Sequence, residues 1–272
     1  MNIAQLFDLL PHMSVYDLEQ PRYFGAPIHP SHAPGFVYTL HRQHKEDMGE
    51  ARTGASGFIY AAEHSGTHID ALVHQAENFT LYGGKAITPE LQTATGFTEM
   101  GVETIPPLLT RGILLDVAAY RGVDYIQESV TRDELQRVAQ QQKVSVQEGD
   151  IVLVRTGNGA RWSDPDAYLA APGMNSDASQ WLADTRVRAV GADNMAWDNM
   201  GTVDPELHVS LPGHVILLVR HGIYILENLY LEEIAQQKLY EFVFLCLPLK
   251  MRGATGSPVR PIAIASSRDG KG

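Results

Sequence analysis

The 272-residue sequence predicts a mixed α/β fold, and three observations carry that expectation. Short apolar runs rich in Val, Ile and Leu recur along the chain, as in "GILLDVA", "DIVLVRTG" and "EFVFLCLPL". Segments with helical spacing and caps lie between them, as in "TRDELQRVAQQQ" and "LEEIAQQK". No internal repeat, low-complexity tract or long linker breaks the alternation, so one domain over residues 1–272 is expected.

The elements follow in order. The first fifty residues mix proline, histidine and aromatics without a sustained helical period, which reads as loop with short strands. Such a segment, taken as residues 1–56, is expected to lie over a site. From Gly57, "GFIYAAEH" reads as a strand entering a histidine-rich stretch, and "GILLDVA" at 112–118 as a strand buried on both faces. Thr131 and Glu134 form a capping box ahead of a helix. A buried strand follows at 150–157. Next come a helix around "SDASQWLADT", a strand "VRAVGAD", and a helix through "GHVILLVRHG" closed by Gly222. The strand "IYILE", the helix "LEEIAQQK" and the strand "EFVFLCLPL" continue the pattern. In "SPVRPIAIA", Pro258 and Pro261 cannot donate to a ladder, so a single last strand at the sheet edge is expected.

Composition narrows the partners. A formal net charge of −11 disfavours nucleic acid and anionic membrane, leaving a small molecule or a protein. The one cysteine, Cys246, stands in an apolar run, so it has no disulfide partner in the chain and is expected to pack. No apolar run reaches the roughly 18 residues of a membrane span, and "MNIAQLFDLLPHMS" has no basic leader region. A cytoplasmic protein is expected.

Chemistry concentrates in "EHSGTHIDALVHQ", residues 63–75, where three of the eleven histidines fall within eleven positions beside an aspartate. Imidazole and carboxylate suit Zn²⁺, Mn²⁺ or Fe²⁺. On one helix Asp70 would point roughly 160° from His68, so a helix cannot gather His64, His68, Asp70 and His74. On one strand His64 and His74 would stand about 33 Å apart. The chain must turn, and Gly66 followed by Thr67 is the place, since Gly66 accepts positive φ. The zincin pattern fails because Ser65 follows the first histidine, and no His-x-His pair occurs. His68 and Asp70 with a distant histidine such as His214 would also meet the demand of a non-haem Fe(II) oxygenase.

"HSGTHIDALVH" resembles the His-x-Gly-Thr-His-x-Asp-x-x-x-His motif of the cyclase-like metal-dependent hydrolases, a family that includes bacterial kynurenine formamidase and isatin hydrolase. The likeness continues through "VLVRTG", "PGMNSDASQWLAD", "VGADNMAWD", "GHVILLVRHGIYILENLYLEEI" and "GSPVRPIAIA". It implies a mixed sheet or β-barrel core flanked by helices, of the swivelling β/β/α kind. It also implies His64, His68 and Asp70 as ligands of one Mn²⁺ or Zn²⁺, with His74 as proton acceptor and donor. In two-metal members Asp70 would bridge, and His214 and Glu227 would complete the second site. The segment between those two is one residue longer than the formamidase pattern, with His208 and His221 as nearby competitors. "ALV" stands between Asp70 and His74 where formamidases carry a proline, which leans toward the single-metal isatin hydrolases and makes His214 and Glu227 supports of the first ion instead. Homodimers or homotetramers acting on small molecules are the family norm.

The implied reaction is hydrolytic opening of an amide, lactam, imide or lactone by metal-activated water, with His74 relaying the proton. A lyase or isomerase using the same metal is the alternative, and a non-catalytic metal-binding protein the third class. Phe24, Phe36 and Tyr38 are expected either to wall a pocket for a planar ring or to pack under the sheet. Trp197 shares that ambiguity, while His29, His32, His41 and His44 are expected to be solvated.

Overall fold

The apolar runs pair as a nine-stranded mixed sheet in a computed structural model that describes residues 3–46 and 49–267. Residues 1, 2, 47 and 48 of the expected covering segment lie outside the described residues. The strands are β1 Met13–Asp17, β2 His68–Asp70, β3 Leu108–Asp116, β4 Ile151–Arg155, β5 Ala189–Ala192, β6 Tyr224–Glu227, β7 Glu241–Cys246, β8 Gly256–Pro258 and β9 Ile262–Ser266. Their spatial order is β1-β9-β7-β3-β4-β5-β6-β2-β8. Strands β3 to β6 run parallel, and antiparallel strands extend the sheet on both sides.

Alternation along the parallel strands feeds two cores. Ile113, Leu115, Val152, Val154, Val190 and Ile225 face one side, whereas Leu114, Ile151, Leu153, Ala189 and Leu226 face the other. Helices α1 Ile3–Leu9, α2 Val117–Arg121, α3 Arg132–Gln142, α4 Pro165–Leu169, α5 Ser176–Asp184, α6 Pro212–His214 and α7 Glu232–Gln236 surround the sheet. Leu135 and Val138 of α3, and Leu182 of α5, close the first core. Ile234 of α7, with Leu81, Leu91 and Val102 from the segment between β2 and β3, closes the second. Cys246 is buried in that second core, as expected. No helix among the described residues is long and apolar enough to cross a membrane.

Several expectations need correction. The N-terminal segment is not only loop and strand: it opens with α1 and contributes β1 to one sheet edge. The strand expected at 112–118 starts at Leu108 and stops at Asp116, whose side chain accepts from Ala119 N and so caps α2. Thr131 Oγ1 accepts from Glu134 N as a capping box requires, but the Glu134 carboxylate turns to Arg121 at 2.6 and 2.7 Å. The strand from "GFIYAAEH" ends at Tyr60 and pairs with Val37–Arg42 in a separate ribbon, leaving Phe58, Ile59 and Tyr60 exposed. "SPVRPIAIA" makes two strands. Strand β8 does lie at an edge, its pairing with the β2 segment running on through Val259 N to Thr67 O, and past Arg260 the chain changes partners, so that β9 sits between β1 and β7. After α6 the chain runs on as a π-helix, Val215–His221, closed by Gly222 at φ +68°, whose N–H reaches back five residues to Leu217 O.

Candidate metal centre

Gly66 has φ +62°, so the ligand turn sits where the backbone geometry demanded it. A Cβ built there would lie 2.5 Å from Arg22 Nη1. Arg22 spans that turn, donating to Ser65 O and Thr67 O while its Nε donates to Glu19 at 2.8 Å. Gln20 N donates to Thr67 Oγ1 at 2.8 Å, and Thr67 donates onward to Asn228 O. Asn228 Nδ2 in turn donates to Gly66 O at 3.0 Å. The turn therefore delivers its histidines from a fixed frame.

Strand register does the rest. In β2, His68 lies opposite Glu227 of β6, and Ile69 lies opposite Leu226. Period two puts His68 and Asp70 on one face while Ile69 enters the core. Asp70 pairs with Gly256 of β8, where a Cβ would come within 2.6 Å of His64 Cε1. Only a residue without a side chain leaves room for that imidazole.

The groups converge without pairing. His64 Nδ1 lies 2.9 Å from Asp70 Oδ1, and His68 Nε2 lies 3.5 Å from Asp70 Oδ1 and 3.4 Å from Glu227 Oε2. His214 Nε2 lies 3.7 Å from Asp70 Oδ2 and 3.3 Å from Glu227 Oε1. Each ring is oriented by its other nitrogen. His64 Nε2 meets Thr255 Oγ1 at 2.7 Å, and Thr255 is itself tied to Glu63. His68 Nδ1 donates to Gly66 O at 2.8 Å, and His214 Nδ1 to Asp198 Oδ2 at 2.7 Å. Those contacts assign the outward proton and turn the second nitrogen of all three rings inward, where it offers a lone pair once an ion displaces any proton it carries.

Asp70 Oδ1, Asp70 Oδ2 and His64 Nδ1 are buried and make no hydrogen bond. Buried polar atoms ordinarily have a partner, and acceptors facing acceptors call for a cation between them. His64, His68 and Asp70 bring ligand atoms within 4.8 Å of one another, and so do Asp70, His74 and His214. This donor set fits a divalent ion.

"ALV" has a physical role. His74 N donates to Ala71 O at 2.9 Å, so Ala71–His74 is a turn that folds His74 back over the centre. Its ring lies 4.0 Å from that of His64 and 6.0 Å from that of His214, centroid to centroid. Ala71 and Val73 anchor the turn in the second core, while Leu72 packs against the first.

Electrostatics agree with the geometry. Burial opposes charge on Asp70, yet the facing His74, His64 and His68 hold its carboxyl well below the usual range. Burial likewise opposes charge on Glu227, and His214 and His68 bring it down to about 2. Burial disfavours protonated His68, but Asp70 and Glu227 outweigh it and raise the ring to about 10. His214 rises well above its ordinary value, against burial, through Asp198 and Glu227. Burial pushes His74 down to about 3. Two ionised carboxylates thus draw protons onto the imidazoles facing them, where a metal cation would sit.

The centre opens on a cavity of about 170 Å³ lined by His29, Ser31, His32, Gln75, Met195, Ala196 and Leu211 with the groups above. His29 and His32 are therefore not solvated loop histidines. The His32 ring stacks on His64 at 4.7 Å and 26°. Nothing in the spacing of "HPSH" marks this, because the contact is made across the fold. Phe24 and Tyr38 neither wall the cavity nor pack under the sheet: they are 81 % and 52 % exposed. Phe36 does not line the cavity either. Trp197 is core: its indole donates to Ser179 Oγ at 2.9 Å, and its backbone N donates to Glu227 Oε1 at 2.8 Å. Of the competing histidines, His221 turns Nδ1 back to Ile216 O, and His208 sits by Asp204. Neither reaches the centre.

An α/β sheet with a buried His and carboxylate cluster at the end of its parallel strands defines the class. The chain belongs to the putative cyclase family, whose family model matches residues 16–199. It is 27 % identical over 247 residues to kynurenine formamidase of Bacillus thuringiensis subsp. konkukian, covering 90 % of this chain and 95 % of the relative. It is 28 % identical over 261 residues to Cyclase-like protein 3 of Oryza sativa subsp. japonica, covering 86 % and 82 %. A crystal structure described as a novel cyclase superposes with a TM-score of 0.82 at 29 % identity, covering 96 % of this chain and 90 % of that one. Isatin hydrolase A from Ralstonia solanacearum shares the fold, with a TM-score of 0.74 at 22 % identity and 98 % of each chain covered. His214 and Glu227 lie beyond the matched segment and are joined to the site by geometry.

Proposed function

We propose that the chain is a metal-dependent hydrolase opening an amide, lactam, imide or lactone bond of a small substrate. The carrying observation is the buried, unpaired set of His64 Nδ1 and both Asp70 oxygens, faced by His68 and His214. Similarity to kynurenine formamidase supports the hydrolase class. His64, His68 and Asp70 would hold a Mn²⁺ or Zn²⁺, and His214 with Glu227 would hold a second ion or steady the first. A bound ion acidifies water and polarises a carbonyl. Asp70 is placed to balance the charge of that ion, since it carries negative charge with no hydrogen-bond donor of its own. His74 overhangs the centre between His64 and His214, so it is placed to relay the proton that water loses to the leaving nitrogen or oxygen. The carbonyl carbon gains a bond to the water oxygen and loses its bond to the leaving atom, so the product is a carboxylic acid plus amine or alcohol, joined in one molecule when the substrate is cyclic. An α/β sheet flanked by helices fits poorly with the all-β barrel of the oxygenase alternative.

The test is incubation of the metal-loaded protein with lactams, lactones, cyclic imides and N-formyl anilines, following proton release and the mass of one added water. Isomerised product without added water would turn the reading toward a lyase or isomerase. Assembly as a cytoplasmic homodimer or homotetramer belongs to the same proposal, and light scattering at the 30.0 kDa of one chain would overturn the oligomer.

A further inference from the structure

We propose that His32 is a substrate-binding residue, donating a ring N–H to the carbonyl oxygen of the scissile group from its place stacked over His64. The inference deepens the hydrolase reading and rests on it for the identity of the group bound.

Placement comes first. The turn Pro30–His32 is capped by its own sequence: His29 Nδ1 accepts from Ser31 N at 3.2 Å, and His32 N donates to His29 O at 2.8 Å. That turn lays the His32 ring over His64 and 6.1 Å from the ring of His74. A His32 nitrogen comes within 4.8 Å of a nitrogen on each of those two rings, which is the span of one bound atom between them.

Hydrogen bonding separates His32 from the ligands. Six histidines line the cavity: His29, His32, His64, His68, His74 and His214. The side chains of His29, His64, His68 and His214 are each fixed by a protein hydrogen bond. Among the described residues neither nitrogen of His32 has such a partner. A ligand histidine ordinarily has its second nitrogen anchored, as the three here do, and His32 is not built that way. A partly buried ring with an unused N–H beside a cavity is complementary to an acceptor on a bound molecule. Among the described residues no Phe, Tyr or Trp lines the cavity, so the site suits a compact, polar acyl group more than a large aryl one.

The experiment compares His32→Phe, which keeps the stacked ring and removes the donor, with His32→Asn, which keeps a shorter donor. Mn²⁺ affinity is read by calorimetry, acetohydroxamate binding by the visible spectrum of the Co²⁺-loaded protein, and turnover with the substrate panel. Expected for His32→Phe are Mn²⁺ affinity within about threefold of wild type, acetohydroxamate binding weaker by about tenfold, and kcat/KM lower by about 100-fold. His32→Asn recovers part of both losses. Loss of Mn²⁺ binding as deep as in His64→Ala would make His32 a ligand and overturn the inference, as would unchanged acetohydroxamate binding in His32→Phe. Weaker acetohydroxamate binding in a protein that turns over no member of the panel would support His32 as a substrate contact while overturning the hydrolase reading.

Discussion

Filling the centre with a divalent ion should expel protons, and the number follows from the side chains. Without an ion, His68 titrates near about 10 and His214 well above its ordinary value, while Glu227 stays ionised down to about 2. At pH 7 both rings therefore carry a second proton, on the nitrogens that face Asp70 and Glu227. Coordination needs those lone pairs, so each ring that becomes a ligand loses one proton. Ligation through His68 alone releases about one proton, and recruitment of His214 raises the count to about two. Each released proton makes the association constant climb by about tenfold per pH unit, up to the pH at which the ring deprotonates unaided. Calorimetric titration of Mn²⁺ at pH 7, in buffers of different ionisation enthalpy, counts the protons directly. The same count tells whether His214 faces the ion. Affinity that does not change between pH 6 and pH 9, with no proton released, would refute both the charge assignment and the site.

Three further outcomes follow. In the metal-free protein, His68 has a folded pKa above its unfolded value of 6.5, so its contribution to stability is full below 6.5 and is lost as pH rises through about 10. The gain in Tm on adding Mn²⁺, measured by calorimetry, should widen across that window, and a constant gain would contradict it. His74→Ala should keep Mn²⁺ affinity within a few-fold while turnover falls by roughly 10² to 10⁴, whereas Asp70→Asn should lose both; equal loss of metal in the two variants would dissolve this division of labour. Gly256→Ala sets a methyl 2.6 Å from His64 Cε1 and should weaken Mn²⁺ binding by about tenfold or more, with wild-type affinity in that variant as the result that sinks the packing argument.

The ligand stretch was legible because the chain itself supplies both the donors and the turn that gathers them. Gly66 is a local necessity, and it has the positive φ the spacing required. Thr255 and Asn228 were not legible, since they orient the ligand turn across 191 and 162 residues of sequence, and Asp198 reaches His214 across 16 through a loop whose hydrogen bonds no local pattern encodes. His32 was hidden for the same reason, and solvation was the natural expectation for a histidine in a proline-rich loop. The parallel strands were read correctly because burial on both faces leaves near-continuous apolar runs, whereas "SPVRPIAIA" looked like one strand because only Arg260 and Pro261 mark the change of partner between Val259, which still bonds Thr67, and β9. Phe24 and Tyr38 show the opposite error: hydrophobic side chains suggested an interior, and the fold left them facing out.

Between His214 and Glu227 the chain winds as a π-helix over Val215–His221, which takes up more residues for a given rise than an α-helix does. Wider winding consumes extra chain while both ends stay put: Pro212–His214 against Asp198, and β6 in register with β2. The segment thus acts as a length compensator. Loss of one residue that tightened this winding to an α-helix would leave the distance between His214 and Glu227 almost untouched, because both ends are held by other parts of the fold.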